Sequence, residues 1–179
     1  MFRFLRFIHS GFGALTLWVI FVVFTATALP LVSNYTEERI GVAEAPDLVY
    51  IQDYDRLYEL AEAYGEDGRS VYITMRWTFD IVWPLVYGLT LYATIAWLTP
   101  NGRWKHLVWI PVAAVLFDYV ENTFATILMA IHPRESMAAF VGLFLGTFLK
   151  WTTLGLSFVV ALVLLILRIV RGKPLKEIN

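Results

Sequence analysis

The stretch HLVWIPVAAVLFDYVENTFATILMAI, residues 106–131, is long and apolar enough to cross a lipid bilayer. An α-helix rises ~1.5 Å per residue, so about 20 apolar residues span the hydrocarbon core. The same stretch carries Asp118, Glu121 and Asn122 within little more than one helical turn. Lipid disfavours such groups, so a membrane helix that holds them must turn them toward other protein groups. The stretch therefore predicts both a fold class and the place of a polar site.

Three other runs of similar character accompany it. The four apolar runs cover residues 12–32, 71–98, 106–131 and 137–169. The chain is 59% hydrophobic and 16% charged, whereas about a quarter of the residues in a soluble domain are charged. In lipid the backbone must satisfy its own hydrogen bonds, and runs of this length without strand alternation do so as helices. We predict an all-α, polytopic membrane four-helix bundle, formed as a single integral membrane domain over residues 1–179.

The charges are strongly segregated along the chain. Arg3 and Arg6 precede the first run, and Arg103 and Lys105 lie between the second and the third. Residues 34–70 instead hold ten acids and three arginines. Because short basic loops stay on the cytoplasmic side, we predict that both termini are cytoplasmic and that the acidic loop lies outside. The expected location is the inner (plasma) membrane, which the chain crosses several times.

The acidic loop, residues 34–70, is too long to be a simple connection. Residues 53–64 (DYDRLYELAEAY) have the pattern of a short amphipathic helix. Its apolar face consists of Leu57, Leu60, Ala61 and Tyr64. Asp53 is suited to cap the start, and Gly65 is suited to end the helix. We predict an extracytoplasmic helical lid that rests on the bundle mouth.

The second run places polar residues at helical spacing. Arg76, Asp80 and Tyr87 follow one another at intervals of four and seven residues, so they share a face. Pro84 lies four residues after Asp80 and removes the backbone hydrogen bond to the Asp80 carbonyl. We expect this to leave a polar backbone group beside the Asp80 carboxylate.

The fourth run contributes a base. Gly142, Gly146 and Lys150 recur every four residues. Small residues at this spacing let a second helix approach closely, so Lys150 is expected to face protein rather than lipid. Counting helical rise from the predicted cytoplasmic ends places Asp80 and Lys150 ~27 Å up and Glu121 ~22 Å up. These groups are therefore expected to lie in the outer half of the bilayer, from its centre outward.

The simplest packing gathers these side chains around one buried pocket nearer the outer face. Its predicted ligand-binding or proton-binding residues are Arg76, Asp80, Tyr87, Asp118, Glu121, Asn122 and Lys150. With all five ionisable groups charged, the pocket would carry −1. We expect Asp118 and Glu121, one turn apart in a low dielectric, to share a proton. Each of these residues also has a purely structural interpretation. Arg76 and Asp80 would form an interfacial ion pair, Lys150 would fix the register of the helices, and Asn122 would form interhelical hydrogen bonds.

Other kinds of chemistry find little support in the sequence. The chain has no cysteine, which excludes thiol nucleophiles and thiolate metal sites. His9, His106 and His132 lie near the ends of three different segments, so we predict no metal site and no cofactor. The basic residues are concentrated at the predicted cytoplasmic rim, which suits anionic lipid headgroups rather than nucleic acid.

Three segments carry a family resemblance. They are YGEDGR (64–69), RWTFDIVWPLVY (76–87) and FDYVENTFATILM (117–129). Together they resemble a group of small bacterial four-helix integral membrane proteins of unassigned function. The resemblance implies a bacterial inner-membrane protein, and it implies no reaction, ligand or site residue.

Three classes of function are compatible with these features. In the first, the polar pocket binds a lipid-like or small amphipathic ligand, or couples to protons, while Trp83, Tyr87, Phe124 and Trp151 contact an apolar part. In the second, the protein is a structural or accessory membrane subunit whose charges specify helix packing. In the third, Asp118 or Glu121 acts as general acid or base in a metal-independent enzyme on a lipid-like substrate. The expected partners are membrane lipids, with a second copy of the chain or another membrane subunit as further candidates.

Overall fold

The structure is a computed structural model that describes residues 6–42, 45–46, 53–99 and 103–171. Within this part of the chain every regular element is helical. The main helices are α1 (Gly11–Ile40), α2 (Tyr54–Ala63), α3 (Gly65–Arg76), α4 (Phe79–Leu98), α5 (Trp109–Ile131) and α6 (Met137–Arg171). A 3-10 helix, Arg103–Val108, leads into α5.

Four helical segments are long and apolar enough to cross a membrane. They are Gly11–Ile40, Gly65–Leu98, Trp104–Ile131 and Met137–Val170. The second span comprises α3 and α4 together, and the third comprises the 3-10 helix and α5. The prediction of an all-α chain with four membrane-spanning helices is therefore confirmed at this level.

The first helix is longer than its apolar run. The apolar run predicts an end at residue 32, whereas α1 continues to Ile40 and ends at Gly41, whose φ of 76° is left-handed. The extension includes Glu37, Glu38 and Arg39, residue types with good helix propensity. The hydrophobic run marks where lipid contact is expected to end, but the backbone stays helical until a residue with left-handed geometry stops it. Much of the predicted loop 34–70 is consequently helical.

The predicted amphipathic helix within that loop is confirmed as α2. The Asp53 side chain accepts from the Arg56 N–H at 3.0 Å and caps the helix start. Leu57, Leu60 and Ala61 are buried. They belong to an apolar cluster that also contains Tyr58, Tyr64, Tyr72, Ala125, Leu128, Met129, Ala139 and Leu143. This cluster fixes α2 against α3, α5 and α6.

The second span is broken where the sequence predicts a continuous helix over 71–98. α3 ends at Arg76, α4 begins at Phe79, and Trp77 and Thr78 lie between them. Aromatic and β-branched residues are weak helix formers, and residues 77–79 are all of these kinds. The Trp77 indole N–H donates to the Thr126 hydroxyl at 2.9 Å. This bond holds the break against α5.

A second apolar cluster occupies the opposite end of the bundle. It consists of Tyr87, Leu91, Ile95, Leu98, Ala114, Ala161 and Leu164. Along α5, the acidic residues fall between Ala114 of this cluster and Ala125 of the first one. Along α6, Lys150 falls between Leu143 and Ala161 in the same way. A band of polar side chains therefore lies between two apolar ones.

Candidate functional site

We call this band the polar layer and define it by eight side chains. They are Arg76, Asp80, Tyr87, Asp118, Glu121, Asn122, Thr147 and Lys150. All eight are buried, and Glu121 and Asn122 are only 0% and 1% exposed. The layer contains all seven site residues predicted from the sequence and one, Thr147, that was not predicted. Because burying an unpartnered polar group is costly, the contacts within the layer are energetically important.

The first part of the layer surrounds Arg76 at the end of α3. Its guanidinium forms a salt bridge with the Asp80 carboxylate across the helix break, with Nη1 and Oδ2 2.7 Å apart. The same Nη1 is 3.4 Å from the Asn122 side-chain oxygen on α5. The guanidinium also lies over the Tyr72 ring, 4.6 Å from its centroid, at a distance that favours a cation–π contact.

Asn122 joins this part to the backbone of α4. Its amide nitrogen donates to the Asp80 carbonyl oxygen at 3.2 Å and to the Asp118 carboxylate at 3.3 Å. The Asp80 carbonyl is the one that Pro84, four residues later, cannot bond because proline has no N–H. The Asn122 side chain on α5 therefore donates to the Asp80 carbonyl the hydrogen bond that Pro84 on α4 cannot supply.

Asp118 accepts hydrogen bonds from two other side chains of the layer. The Tyr87 hydroxyl donates to its Oδ2 at 3.0 Å. That hydroxyl also lies 3.4 Å from the Ala114 carbonyl, one turn earlier on α5. Tyr87 and Asn122 therefore hold the Asp118 carboxylate from α4 and from its own helix.

Glu121 connects α5 to α6. Its carboxylate forms an ion pair with Lys150, and it accepts a hydrogen bond from the Thr147 hydroxyl at 2.6 Å. Thr147 is fully buried and also bonds the Leu143 carbonyl of its own helix. A signal for Thr147 exists in the sequence, since it is one turn before Lys150 and next to Gly146. That spacing places its hydroxyl on the face that Lys150 uses.

Two glycines allow this contact between α5 and α6. A Cβ on Gly146 would lie 2.8 Å from the Glu121 backbone nitrogen, and a Cβ on Gly142 would lie 2.5 Å from the Phe124 ring. Both distances are shorter than side chains tolerate. The two helices therefore approach along the glycine pair, as its spacing predicts, and this approach brings Lys150 within reach of Glu121.

A cavity of about 190 Å³ opens beside the Arg76 side of the layer. We call it the α1 cavity, since eight of its fourteen lining residues belong to α1 and the residues just after it. It is lined by Leu29, Val32, Ser33, Thr36, Glu37, Ile40, Val42, Ala45, Tyr64, Tyr72, Met75, Arg76, Phe79 and Asp80. Of the polar layer, only Arg76 and Asp80 reach it. Trp83, Phe124 and Trp151, which the sequence suggested as contacts for an apolar ligand part, are not in its wall.

The predicted sharing of a proton between Asp118 and Glu121 stays a prediction. The two carboxylates accept from different donors, Tyr87 and Asn122 in one case and Thr147 and Lys150 in the other. They do belong to the same buried layer. Within the described residues, no group of three or more His, Asp and Glu side chains is arranged to hold a metal ion.

Outside the spans, α2 is tied to the connection between α5 and α6. The Tyr58 hydroxyl accepts from the Ser136 N–H at 2.7 Å, and the Tyr54 hydroxyl donates to the Glu135 carboxylate at 3.1 Å. Desolvation of the phenol and the nearby Glu135 carboxylate raise the pKa of Tyr54 to about 12. The phenol consequently remains a hydrogen-bond donor throughout the neutral range.

Comparisons of the chain with protein-family models, with curated proteins and with solved structures found no match. The resemblance to small bacterial four-helix membrane proteins therefore stays a prediction.

Proposed function

We propose that the protein binds the polar end of an amphipathic, lipid-like molecule in the α1 cavity. The observation that carries this proposal is the composition of the cavity wall. Leu29, Val32 and Phe79 supply an apolar portion, while Arg76 and Asp80 supply a charged portion. A site built from both kinds of surface suits a ligand that has both.

The volume of the cavity favours a headgroup over a complete lipid. A water molecule occupies ~30 Å³, and pockets that enclose whole drug-sized ligands begin at ~300 Å³. At about 190 Å³, the α1 cavity has room for a small polar group and the first few methylene groups. The remaining chain would lie along the apolar surface of α1, on which Val19, Val22 and Val23 are exposed.

In the topology that the charge distribution predicts, the α1 cavity lies at the outer surface of the inner membrane, because its α1 wall extends from Leu29, inside the apolar run, to Ile40, beyond it. It lies between two contacts of α1. At one end the Phe24 and Phe79 rings stack with centroids 5.6 Å apart, and at the other Ile40 packs against Gly68. On the side away from α1 the wall is formed by Tyr64, which joins α2 to α3, and by Tyr72, Met75 and Arg76 of α3. The role of α2 as an extracytoplasmic lid stays a prediction.

A second candidate function is favoured by the opposite side of the polar layer. Thr147 and Lys150 both bond Glu121 next to the close approach of α5 and α6 at Gly146. None of the three side chains lines the α1 cavity. This is the arrangement expected if these groups specify helix packing, as in a structural or accessory subunit. Both roles are compatible in one chain, with a binding part near α1 and a packing part near α6.

The experiment is to fill the α1 cavity and to identify what the purified protein retains. Thr36→Trp places an indole in the cavity, and Thr36 loses only hydrogen bonds to carbonyls of its own helix. Thr27→Trp is the matched control, because Thr27 is an exposed α1 residue that bonds the Val23 carbonyl in the same way and is not in the cavity wall. Each protein is extracted gently from membranes and analysed by native mass spectrometry.

We expect a co-purifying amphiphile on the wild type and on Thr27→Trp, and its loss from Thr36→Trp. Retention of the same molecule by Thr36→Trp at wild-type stoichiometry would place it elsewhere and refute the proposal. Thermal unfolding of both variants checks that the comparison is between folded proteins.

A further inference from the structure

We propose that the α1 cavity selects amphiphiles with a cationic, hydrogen-bonding headgroup, such as a primary ammonium group. This inference rests on the proposed function, because it specifies the ligand of the same cavity. It follows from the charges that face the cavity and from how they are already engaged.

The charges of the side chains in the cavity wall do not sum to zero. Glu37 and Asp80 are acidic, and Arg76 is basic, so the ionised wall carries −1. The positive charge of Arg76 is already engaged by Asp80 at 2.7 Å and by the Tyr72 ring. An anionic headgroup would have to compete with a buried carboxylate for that guanidinium, and it would face repulsion from both acids.

Glu37 supplies the acceptor that a cation requires. It lies in the last turn of α1 with an exposed side chain, and its carboxylate makes no ion pair with any residue that the structure describes. Its location near the end of the helix keeps it accessible to a ligand that enters from the membrane surface. A charge-assisted bond from an ammonium group to this carboxylate is stronger than a bond between neutral groups.

The remaining polar wall fits the same kind of ligand. The hydroxyls of Ser33 and Thr36 can accept further N–H donors. The Tyr64 ring lies against Tyr72, with centroids 5.8 Å apart, so the wall offers an aromatic surface beside the acids. Aromatic rings near a carboxylate are a common environment for bound ammonium groups.

The experiment compares two amphiphiles that share a chain and differ in headgroup charge. Dodecylammonium and dodecanoate are titrated at neutral pH into the protein in maltoside micelles, and apparent Kd values are obtained by native mass spectrometry. The variants are Glu37→Gln, its exposed neighbour Glu38→Gln, which is not in the cavity wall, and Thr36→Trp. Glu38→Gln removes the same surface charge and so controls for general electrostatic attraction.

We expect tighter binding of dodecylammonium than of dodecanoate to the wild type. Glu37→Gln should raise the apparent Kd for dodecylammonium about tenfold, because it removes one charge-assisted bond. Glu38→Gln should bind dodecylammonium with the Kd of the wild type. Equal effects of the two glutamine variants, or tighter binding of dodecanoate, would overturn the inference. If Thr36→Trp still abolishes binding in that case, the proposed function stands without the cation preference. If Thr36→Trp binds both amphiphiles normally, the proposed function fails as well.

Discussion

The side-chain amide of Asn122 on α5 donates to the carbonyl oxygen of Asp80 on α4 at 3.2 Å. Pro84 leaves this carbonyl without its usual helical donor. The proline and the asparagine are therefore complementary, although they lie on different helices. The contribution of this hydrogen bond to the free energy of unfolding should therefore depend on whether residue 84 is proline, which can be tested.

We expect Asn122→Leu to lower the free energy of unfolding by about 1–3 kcal/mol, since it leaves buried polar groups without a partner. In a Pro84→Ala background the backbone N–H of residue 84 can bond the Asp80 carbonyl, so the same substitution should be less damaging. The expected coupling between the two positions is about 0.5–1.5 kcal/mol. Unfolding of the four proteins by titration with a denaturing detergent measures it.

Thr126→Val provides the matched control for this cycle. It removes a bond between α5 and the break that precedes α4, the one from the Trp77 indole, but it does not touch the Asp80 carbonyl. Its effect should be the same with and without Pro84→Ala. If Asn122→Leu were equally insensitive to the proline, the proposed complementarity would be wrong.

This pair shows how far sequence reasoning reaches. The sequence alone identifies the carbonyl that Pro84 exposes, because the rule involves only residues four apart on one helix. It also places Asn122 on the polar face of α5. It does not identify which backbone group Asn122 meets, because that depends on the relative rotation and height of two helices. These quantities are set by side-chain packing along the whole contact.

Gly146 provides a second prediction, concerning the contact between α5 and α6. We expect Gly146→Ala to lower the free energy of unfolding by about 1–3 kcal/mol, because the new methyl group would collide with the Glu121 backbone. The control is Gly155→Ala on the same helix, where an added Cβ has open space. It should be neutral or slightly stabilising, since alanine favours helix more than glycine does.

The same detergent titration distinguishes the two glycines. Equal effects of the alanine substitutions at Gly146 and Gly155 would mean that the close approach of α5 and α6 contributes nothing to stability. Thr147 and Lys150 would then have to be held near Glu121 by other contacts.

The ion pair of Lys150 with Glu121 gives a third prediction. Lys150→Met alone should be strongly destabilising, by about 3–5 kcal/mol, because it leaves the buried Glu121 without the ammonium group. The double variant Lys150→Met with Glu121→Gln should recover most of that loss. As a reference, Glu59→Gln in the exposed pair with Arg56 should change stability by less than about 1 kcal/mol.

Amphiphile binding by the double variant separates the two candidate roles. Because neither residue lines the α1 cavity, we expect a folded double variant to retain the ligand of the wild type. Loss of the ligand from the folded double variant would assign Glu121 and Lys150 to binding rather than to helix packing.

The attachment of α2 leads to a fourth prediction. Tyr58→Phe removes the acceptor for the Ser136 N–H and the donor to its carbonyl. We expect faster amide hydrogen exchange throughout α2, because the helix loses the Tyr58 bonds to the connection between α5 and α6 and retains there the bond from Tyr54 to Glu135. Tyr35→Phe, a change at an exposed tyrosine of α1, should leave exchange in α2 unaltered. Equal exchange in both variants would show that the Tyr58 hydrogen bonds contribute nothing to holding α2.

The α1 cavity is the part of the site that sequence patterns could not provide. Arg76 and Asp80 are conspicuous because charges are rare in membrane spans. Glu37 is one of ten acids in a polar segment, and nothing local distinguishes it from Glu38. Only the continuation of α1 past its apolar run, and its placement beside α3, bring Glu37 to the same wall as Arg76.

The polar layer also has a consequence for biosynthesis. α5 carries two acids and an asparagine at its centre, and on insertion scales each charged residue there disfavours entry into lipid by about 2.5–3.5 kcal/mol. The base that matches Glu121 lies on α6, which the ribosome makes after α5. We therefore expect α5 to remain at the insertion machinery until Lys150 has been synthesised, so that the two helices enter the bilayer as a hairpin.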